Sequence, residues 1–239
     1  SQVERFYLPL AEHCLAALTN RSRLLVGVAG PPGCGKSAFS ALLAAVINAQ
    51  AGLGLGCVVG MDGWHYPNAY LNDHFIKREG RCISLRAIKG SPETFDVEAF
   101  LYCLTAIRQG RTVRYPVYSR LLHEPVQDGG EVGAAQRVVI VEGNYLFLDE
   151  APWDEICRLF DVRIFIRASL EGIQAGLRER HLRGGKAADV VEKHIQMVDL
   201  PNARRVLFAS APASITVNKF DSRLIHSIEW AEGEPLTKC

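Results

Sequence analysis

A phosphate-binding loop is predicted by the run Gly30-Pro31-Pro32-Gly33-Cys34-Gly35-Lys36-Ser37, which fits the pattern Gly-x-x-x-x-Gly-Lys-Ser/Thr. Its glycines allow backbone N–H groups to turn inward around a phosphate. Its lysine can reach the β and γ oxygens of a nucleotide, and its serine hydroxyl can ligate Mg²⁺. The run follows an apolar strand pattern and opens a helical one, as this chemistry requires. We expect Gly30 to Ala38 to bind a nucleotide, and Lys36 to act in catalysis; the alternative is a plain glycine-rich turn.

A carboxylate at the end of the second strand pattern is a candidate general base. Asp62 ends the apolar segment 55–62, and Gly63 lets the backbone turn directly after it. Parallel sheets place their ligands at the carboxyl ends of strands, and a kinase needs a base beside the acceptor hydroxyl. We expect Asp62 to be this base; the alternative is that its side chain only caps a loop.

A second carboxylate, Glu142, ends the apolar strand pattern at residues 137–144. A carboxylate at this place can hold Mg²⁺ or the water shell of the ion, and without such a task its burial costs several kcal/mol. We expect Ser37 and Glu142 to form the magnesium site. The alternative is a structural hydrogen bond between Glu142 and the phosphate-binding loop.

A basic run surrounds a flexible glycine pair near residue 184. It contains Arg178, Arg180, Arg183 and Lys186 around Gly184-Gly185. Phosphoryl transfer is helped by mobile arginines on a lid that closes over the site and excludes water. We expect a lid at about residues 178–200 with Arg180 as its catalytic contact. The alternative is a solvated basic surface.

Strand and helix patterns alternate along the chain and position these residues. The apolar runs predict strands at residues 24–30, 55–62, 137–144, 161–167 and 213–218, the last closing the sheet. Helical spacing predicts helices at residues 4–19, 37–50, 91–110 with Ser91 as N-cap, 152–160, 169–182, and two within 184–210 broken near Pro201. The alternation predicts an α/β fold of the P-loop NTPase type: a doubly wound parallel sheet with right-handed crossovers, flanking helices and a small lid.

Residues 63–90 are rich in aromatic and polar side chains and lack the apolar pattern of a core segment. We interpret them as an insertion that lines an acceptor site. Two interpretations of the acceptor stay open. Aromatic side chains could stack a nucleobase, namely Trp64, Tyr66, Tyr70 and Tyr118. Basic side chains could bind an acidic or phosphorylated acceptor, namely Arg86, Lys89, Arg120 and His123. Either set could equally be packing or surface.

Composition restricts the class of protein. The chain has 239 residues, 48% of them hydrophobic, and a formal net charge of +1, as expected for a single-domain enzyme that does not bind nucleic acid. No apolar run reaches the roughly 18 residues of a membrane span, and Glu4 and Glu12 interrupt the N-terminal segment, so we expect a cytoplasmic protein. Its seven cysteines form no Cys-x-x-Cys pair, which indicates reduced thiols.

Five motifs in order resemble the branch of P-loop kinases that includes uridine kinase, phosphoribulokinase and pantothenate kinase. They are GPPGCGKS, MDGWHYPN, KGSPETFD, YPVYSR and VIVEGNYLF. The resemblance runs from about residue 24 to 210 and is nearest to nucleoside/nucleotide kinase-like members, some of them fructose-transport-type sugar kinases. It implies one kinase domain over residues 1–239 that transfers the γ-phosphoryl of ATP, with Mg²⁺, to a hydroxyl of a small polar metabolite. A nucleoside, a sugar or a pantothenate-like compound is the implied acceptor, and a homodimer is one assembly left open.

The resemblance also implies roles for individual residues. The family's base falls on Asp62, its Glu-Gly on Glu142-Gly143, and its acceptor-site aromatic-x-Arg on Tyr118 and Arg120. His65, Tyr66, Lys89 and Glu142 complete the expected substrate-binding set with these two. The family element Asp-x-x-Asn-Ala-Arg matches Asp199 to Arg204, but the sequence does not indicate its role. Residues 72–81 are an extra segment relative to the family pattern, which bears on the acceptor pocket.

A competing motif, Asn218-Lys219-Phe220-Asp221, fits the Asn-Lys-x-Asp element that reads guanine in GTPases. A GTPase switch or metallochaperone is therefore the alternative function. Such a protein also needs Asp-x-x-Gly after its Walker B strand, and here that strand ends in Glu142-Gly143. A catalytically inactive P-loop regulator is a third interpretation, which the presence of Lys36, Ser37, Asp62 and Glu142 disfavours.

Overall fold

The computed structural model describes residues 1–78, 80–185, 187–221 and 223–231. Its strands are β1 (Leu24–Ala29), β2 (Gly56–Gly60), β3 (Phe75–Arg78), β4 (Arg81–Ser84), β5 (Val113–Ser119), β6 (Glu124–Val132), β7 (Val138–Gly143), β8 (Val162–Ala168), β9 (Ile215–Lys219) and β10 (Ile225–Trp230). Six of them form one sheet in the order β10-β9-β8-β1-β7-β2. All neighbours in it pair in parallel except β10, which runs antiparallel to β9.

Helices flank both faces of this sheet. They are α1 (Leu8–Leu18), α2 (Lys36–Ala51), α3 (Asn68–Asp73), α4 (Val97–Arg108), α5 (Trp153–Cys157), α6 (Leu170–Arg183), α7 (Ala188–His194) and α8 (Leu200–Ala209). Alternate residues of β1 enter different cores: Val26 and Val28 pack with Leu43 of α2, whereas Leu25 packs with Phe100 of α4. This two-sided burial explains the continuous apolar strand runs, and the predicted α/β architecture with a mostly parallel, doubly wound sheet is confirmed.

The start of α4 differs from the prediction. Ser91 is not the N-cap of this helix; Asp96 is, and its carboxylate accepts a hydrogen bond from Ala99 N–H at 3.0 Å. Residues Pro92–Thr94 instead form a separate 3₁₀ turn, and Phe95 is extended and bridges to His65. Asp96 is a better N-cap than Ser91 at this helix because its charged carboxylate accepts a hydrogen bond from an unpaired N–H group of the first turn and interacts favourably with the helix dipole.

The sequence patterns missed three antiparallel elements. The hairpin β5–β6 and the edge strand β10 are absent from the prediction, so the strand at 213–218 does not close the sheet. The predicted insertion contains α3 and the small hairpin β3–β4. These strands are half-exposed and carry many polar residues, so they lack the apolar runs that mark the buried parallel strands.

Pro201 does not break the helical segment as predicted. A π-helical turn, Ile195–Asp199, joins α7 to α8 without interruption, and Pro201 occupies the first turn of α8. Proline fits there because the widened turn removes the clash between its ring and the carbonyl four residues earlier. The segment predicted as a lid, residues 178–200, thus consists of the end of α6, all of α7 and this turn; Lys186 lies outside the described residues.

A buried arginine closes the amino end of the sheet. Arg23 is 5% exposed and donates hydrogen bonds of 2.6–2.9 Å to the carbonyls of Ile107, Arg111, Gly133 and Gln136. It therefore ties the end of α4 to the turn that precedes β7.

We predict that Arg23→Met lowers the free energy of unfolding by about 2–4 kcal/mol, because several carbonyls lose a charged donor. Urea denaturation measures the effect. The matched surface variant Arg114→Met removes an exposed ion pair with Glu131 and should cost less than about 1 kcal/mol. Equal losses in the two variants would contradict the anchoring role of Arg23.

Candidate active site

The phosphate-binding loop has the conformation that its glycines permit. Gly30, Gly33 and Gly35 have φ values of +154°, +83° and +82°. A Cβ at Gly30 would lie 2.5 Å from the Ile166 carbonyl oxygen, and one at Gly33 would lie 2.7 Å from that of Ile173. The backbones of β8 and α6 thus press directly on the loop, which explains why glycine is required at both positions.

Lys36 lies within the loop that it is predicted to serve. Its side chain is buried, and its Nζ donates to the Pro31 carbonyl at 2.9 Å and lies 4.0 Å from Cys34 Sγ. Lys219, at the end of β9, donates from the other side to the Cys34 carbonyl at 3.4 Å. Two lysine ammonium groups therefore face one loop, an electropositive setting that suits a polyphosphate.

The structure brings Ser37, Glu142 and the end of β2 together. Ser37 Oγ donates to Glu142 Oε1 at 2.9 Å, which is the hydrogen bond that the structural interpretation of Glu142 requires. Gly60, the last residue of β2, is the register partner of Glu142 on β7. Asp62 follows two positions after Gly60 in a 3₁₀ turn, so the predicted magnesium ligands Ser37 and Glu142 and the predicted base Asp62 lie at the same edge of the sheet.

Electrostatics at this edge favour a cation. Burial, and after it the charge of Asp62, raises the pKa of Glu142, whereas Lys36 and the Ser37 hydroxyl act in the opposite direction. Hydroxyl and carboxylate oxygens are the hard ligands that Mg²⁺ prefers. The residues present therefore fit a magnesium ion, which would relieve the repulsion between the two carboxylates.

Aromatic and basic side chains form a wall beside Asp62. The ring of His65 packs between Phe95 and Tyr118, with centroid distances of 3.9 and 5.3 Å. Its Nδ1 lies 2.9 Å from the Asp62 carbonyl oxygen, so Nδ1 carries the hydrogen, and burial lowers the pKa of the ring. Lys89 Nζ lies 5.3 Å from the centre of the Tyr118 ring. Three of the predicted substrate-binding residues are thus neighbours.

Two basic side chains in this wall share one neutral acceptor. Asn68 Oδ1 accepts from Arg86 Nη1 at 2.5 Å and from Lys89 Nζ at 2.7 Å. Burial, followed by the charge of Arg86, lowers the pKa of Lys89, and Glu124 and Asp62 oppose that shift. Asn68 ends the motif MDGWHYPN but was not singled out from the sequence, because the motif does not show the tertiary contacts with Arg86 and Lys89.

Two aromatic residues from the sequence analysis lie elsewhere. Tyr66 stacks on Tyr70 at 4.2 Å and lines a separate cavity of about 260 Å³ with Trp153 and Arg205. Trp64 is buried against Phe100, with 4.5 Å between ring centroids. Neighbouring residues of an extended segment point to opposite sides, so His65 faces Tyr118 while Tyr66 faces away.

The two predicted arginine contacts approach from different elements. Arg120, directly after β5, is exposed. Burial and then the charge of Asp62 raise the pKa of both Tyr118 and Glu142, and the charge of Arg120 partly opposes both shifts. Arg180 lies seven positions after Ile173 in α6, on the helix face that packs against Gly33. Arg180 is exposed and has no ion pair within the described parts of the chain, whereas Arg178 pairs with Glu192 and Arg183 with Glu179.

The guanine motif is engaged in local contacts. Asn218 Nδ2 donates to Glu229 Oε1 at 2.7 Å, and Asp221 Oδ1 accepts from the N–H groups of Arg223 and Leu224. These are the side-chain atoms with which such a motif would read a base. The geometry therefore gives the GTPase alternative no support.

Residues 25–204 match the phosphoribulokinase / uridine kinase family. The chain belongs to this family. The matched region contains the phosphate-binding loop, Asp62, Glu142 and Arg180, and it confirms the resemblance stated from the sequence motifs.

Individual relatives cover most of the chain. YggC, an uncharacterized protein of Escherichia coli K12, is 34% identical over 94% of this chain and 91% of its own length. A Schizosaccharomyces pombe protein provisionally named a uridine kinase is 32% identical over 81% of this chain and 80% of its own. A crystal structure from Silicibacter sp. TM1040, provisionally named a fructose transport system kinase, matches with a TM-score of 0.78, 36% identity, and 88% and 98% coverage of the two chains.

Membership of the family makes this chain a kinase that acts on a small molecule, and it implies ATP as the phosphoryl donor. Among the residues that the structure describes, no helix has the length and apolar composition needed to span a membrane.

We predict that Gly33→Ala weakens ATP binding at least tenfold, because the added Cβ collides with α6 and cannot be placed without moving the loop. Isothermal titration with Mg·ATP measures the affinity. Gly110→Ala is the matched control: its φ of +80° imposes similar backbone strain, but nothing lies within 4 Å of the added atom. The control should lose about 1 kcal/mol of stability and no affinity; unchanged affinity in Gly33→Ala would contradict the predicted binding site.

Proposed function

We propose that this kinase transfers the γ-phosphoryl group of Mg·ATP to a hydroxyl of a small polar metabolite, with Asp62 as the base. The convergence of Ser37, Glu142 and Asp62 at the ends of three parallel strands carries the proposal. The loop adjoins these residues through Ser37, and the His65–Tyr118–Lys89 wall adjoins them through the contact of His65 with the Asp62 carbonyl. A nucleotide and an acceptor can therefore meet there.

Each residue has one task in the proposed reaction. Lys36 and the backbone N–H groups of the loop bind the β- and γ-phosphates, and Ser37 and Glu142 hold Mg²⁺ and its water ligands. When bound there, the ion would neutralise charge on the phosphates. Asp62 accepts the proton of the acceptor hydroxyl as its oxygen attacks the γ-phosphorus, and the bond from that phosphorus to the β–γ bridging oxygen breaks, leaving ADP.

Arg180 completes the site from the lid segment, residues 178–200. Its face of α6 is already seated on the loop through Ile173, and its guanidinium has no ion pair in the described part of the chain. Closure of the segment would bring this charge to the γ-oxygens, where negative charge is spread in the transition state.

Within the acceptor classes left open by the sequence, we infer an acceptor that also carries a negative charge. Arg86 and Lys89 both donate to one uncharged oxygen of Asn68, so two cations lie close together, and Glu124 and Asp62 offset only part of the lowering of the Lys89 pKa that burial and the charge of Arg86 cause. A carboxylate or phosphate would replace that oxygen and relieve the repulsion. Nucleobase stacking is less well supported, because Trp64, Tyr66 and Tyr70 already pack against other rings.

We predict that Asp62→Asn lowers kcat about 10²- to 10⁴-fold, because the base is lost, while Mg·ATP affinity is retained. ADP release is measured with MgATP and, in parallel, MgGTP across nucleosides, sugars, sugar phosphates, pantothenate and glycerate. The surface variant Asp154→Asn is the control and keeps full activity. GTP hydrolysis that ignores every acceptor and also Asp62 would contradict the proposed function.

The same assay tests the lid residue. Arg180→Gln should lower kcat, whereas Arg183→Gln, on the same helix but paired with Glu179, should not. Equal kcat values in these two variants would contradict the catalytic role of Arg180 and would leave the proposed role of Asp62 unaffected.

The charge of the acceptor is tested with matched pairs, such as pantothenate and pantothenol, or glycerate and glycerol. We predict that Lys89→Met lowers kcat/KM for the anionic member roughly 10- to 100-fold, the value of one charge-assisted hydrogen bond, and leaves the neutral member unchanged. Lys77→Met, exposed in the same insertion, is the control. Preference of the wild-type enzyme for neutral acceptors would contradict this inference.

A further inference from the structure

A second cluster of ligand-type side chains lies in the lid segment, outside the group built around the phosphate-binding loop. His181 belongs to α6, His194 ends α7, and Asp199 ends the π-helical turn that follows. One donor atom of each residue lies within 4.8 Å of the other two. We propose that these three side chains bind a divalent transition-metal ion of the zinc class.

The two imidazoles converge on one carboxylate oxygen. His181 Nε2 lies 2.8 Å and His194 Nε2 lies 3.9 Å from Asp199 Oδ2, and the rings are nearly perpendicular at 85°. In a tetrahedral zinc site, ligand atoms at bond lengths of about 2.0–2.1 Å lie about 3.3 Å from one another. The two distances bracket this value, and the donor atoms of the two histidines lie within 4.8 Å of each other, so side-chain shifts on the order of 1 Å would complete the geometry.

The π-helical turn is what brings His194 and Asp199 to the same side. Five positions along an α-helix correspond to about 500° of rotation, which would point the two side chains about 140° apart. A π-helical turn closes hydrogen bonds between residues five apart, as Leu200 N–H does with the Ile195 carbonyl, and so aligns such pairs. Turns of this kind are frequent at functional sites, and Pro201 directly after it explains why the chain adopts one here.

The donor set selects the class of metal. Two imidazole nitrogens and one carboxylate oxygen suit Zn²⁺ and similar nitrogen-binding ions, whereas Mg²⁺ prefers oxygen ligands. The side chains of His181 and Asp199 are each 10% exposed and that of His194 is 29% exposed. An ion would thus be enclosed on two sides and reached past His194, with its fourth position open to water.

A bound ion would connect the lid segment to Ser91, which directly follows the insertion at residues 63–90. His181 directly follows Arg180, and three residues after Asp199 the side chain of Asn202 donates to Ser91 Oγ at 3.2 Å. Cross-linking α6 to the start of α8 would restrict the motion of the lid segment. The role is structural, and it does not depend on which acceptor the kinase uses.

The test is a Co²⁺ titration of the EDTA-treated, dialysed protein in excess Mg²⁺, followed by visible d–d absorption, together with Zn²⁺-dependent thermal melting. The variants are His181→Gln and His194→Gln, since glutamine can keep a hydrogen bond to Asp199 but is a poor ligand. His226→Gln, exposed on β10, is the control. Circular dichroism verifies folding, and His194→Gln, at the exposed side, decides the outcome if His181→Gln does not fold.

We expect wild-type protein and His226→Gln to bind one Co²⁺ with a tetrahedral spectrum and without a thiolate charge-transfer band, and to melt at higher temperature with Zn²⁺. Affinity should fall at least tenfold in His181→Gln and His194→Gln, and the Zn²⁺ effect on melting should vanish. Absence of such a spectrum in the wild type, or affinity unchanged by the two ligand variants, would overturn the proposal.

Discussion

The hydrogen bond from Ser37 to Glu142 joins the two halves of this active site. It ties the first turn of α2, which follows the phosphate-binding loop, to the carboxyl end of β7, between β1 and β2 in the sheet. Glu142 is held there beside a second carboxylate, and burial together with Asp62 raises its pKa. In the proposed function, such a pair would favour a divalent cation, so the electrostatic repulsion between the two carboxylates would contribute to the affinity for metal-bound nucleotide.

Helix α6 connects this centre to the rest of the molecule. Its Ile173 carbonyl leaves room only for a glycine at position 33. One turn before its end it carries Arg180 and then His181, which pairs with Asp199. The chain continues from Asp199 to Asn202, which bonds to Ser91. Helix α6 therefore contacts the phosphate-binding loop directly. Through α7 and the π-helical turn it is also connected to Ser91, which follows the insertion at residues 63–90. A closing lid requires such connections to both parts of the site.

The buried parallel strands and the loop could be predicted from the sequence because their signals are local. Val138 to Val141 form a continuous apolar run, which indicates a buried strand. The order of glycines, lysine and serine in the loop directly indicates phosphate binding, because each residue type has a defined task there. The position of Asp62 and Glu142 at strand ends followed from these strands alone. The half-exposed β5, which carries Tyr118, gave no apolar run, yet the residue was still found through its motif.

Other features depend on tertiary contacts that no local pattern shows. Asn68 becomes the shared acceptor of Arg86 and Lys89 only after α3 and the 3₁₀ turn at Leu85–Ile88 fold together. Tyr66 looked equivalent to His65 in the sequence, but the extended backbone turns it to the opposite side. The alignment of His194 with Asp199 requires a π-helical turn, which α-helical spacing does not predict.

The central claim is that Ser37, Glu142 and Asp62 form one centre for metal, nucleotide and acceptor. A crystal structure with Mn²⁺ and a non-hydrolysable ATP analogue tests it most directly, since anomalous scattering locates the ion. Our account predicts one Mn²⁺ bound to Ser37 Oγ and the β- and γ-phosphates, with Glu142 holding the ion or its waters and the Asp62 carboxylate facing the γ-phosphorus across the acceptor space. An ion bound away from Ser37 and Glu142, or an Asp62 side chain turned away from the γ-phosphate, would contradict it.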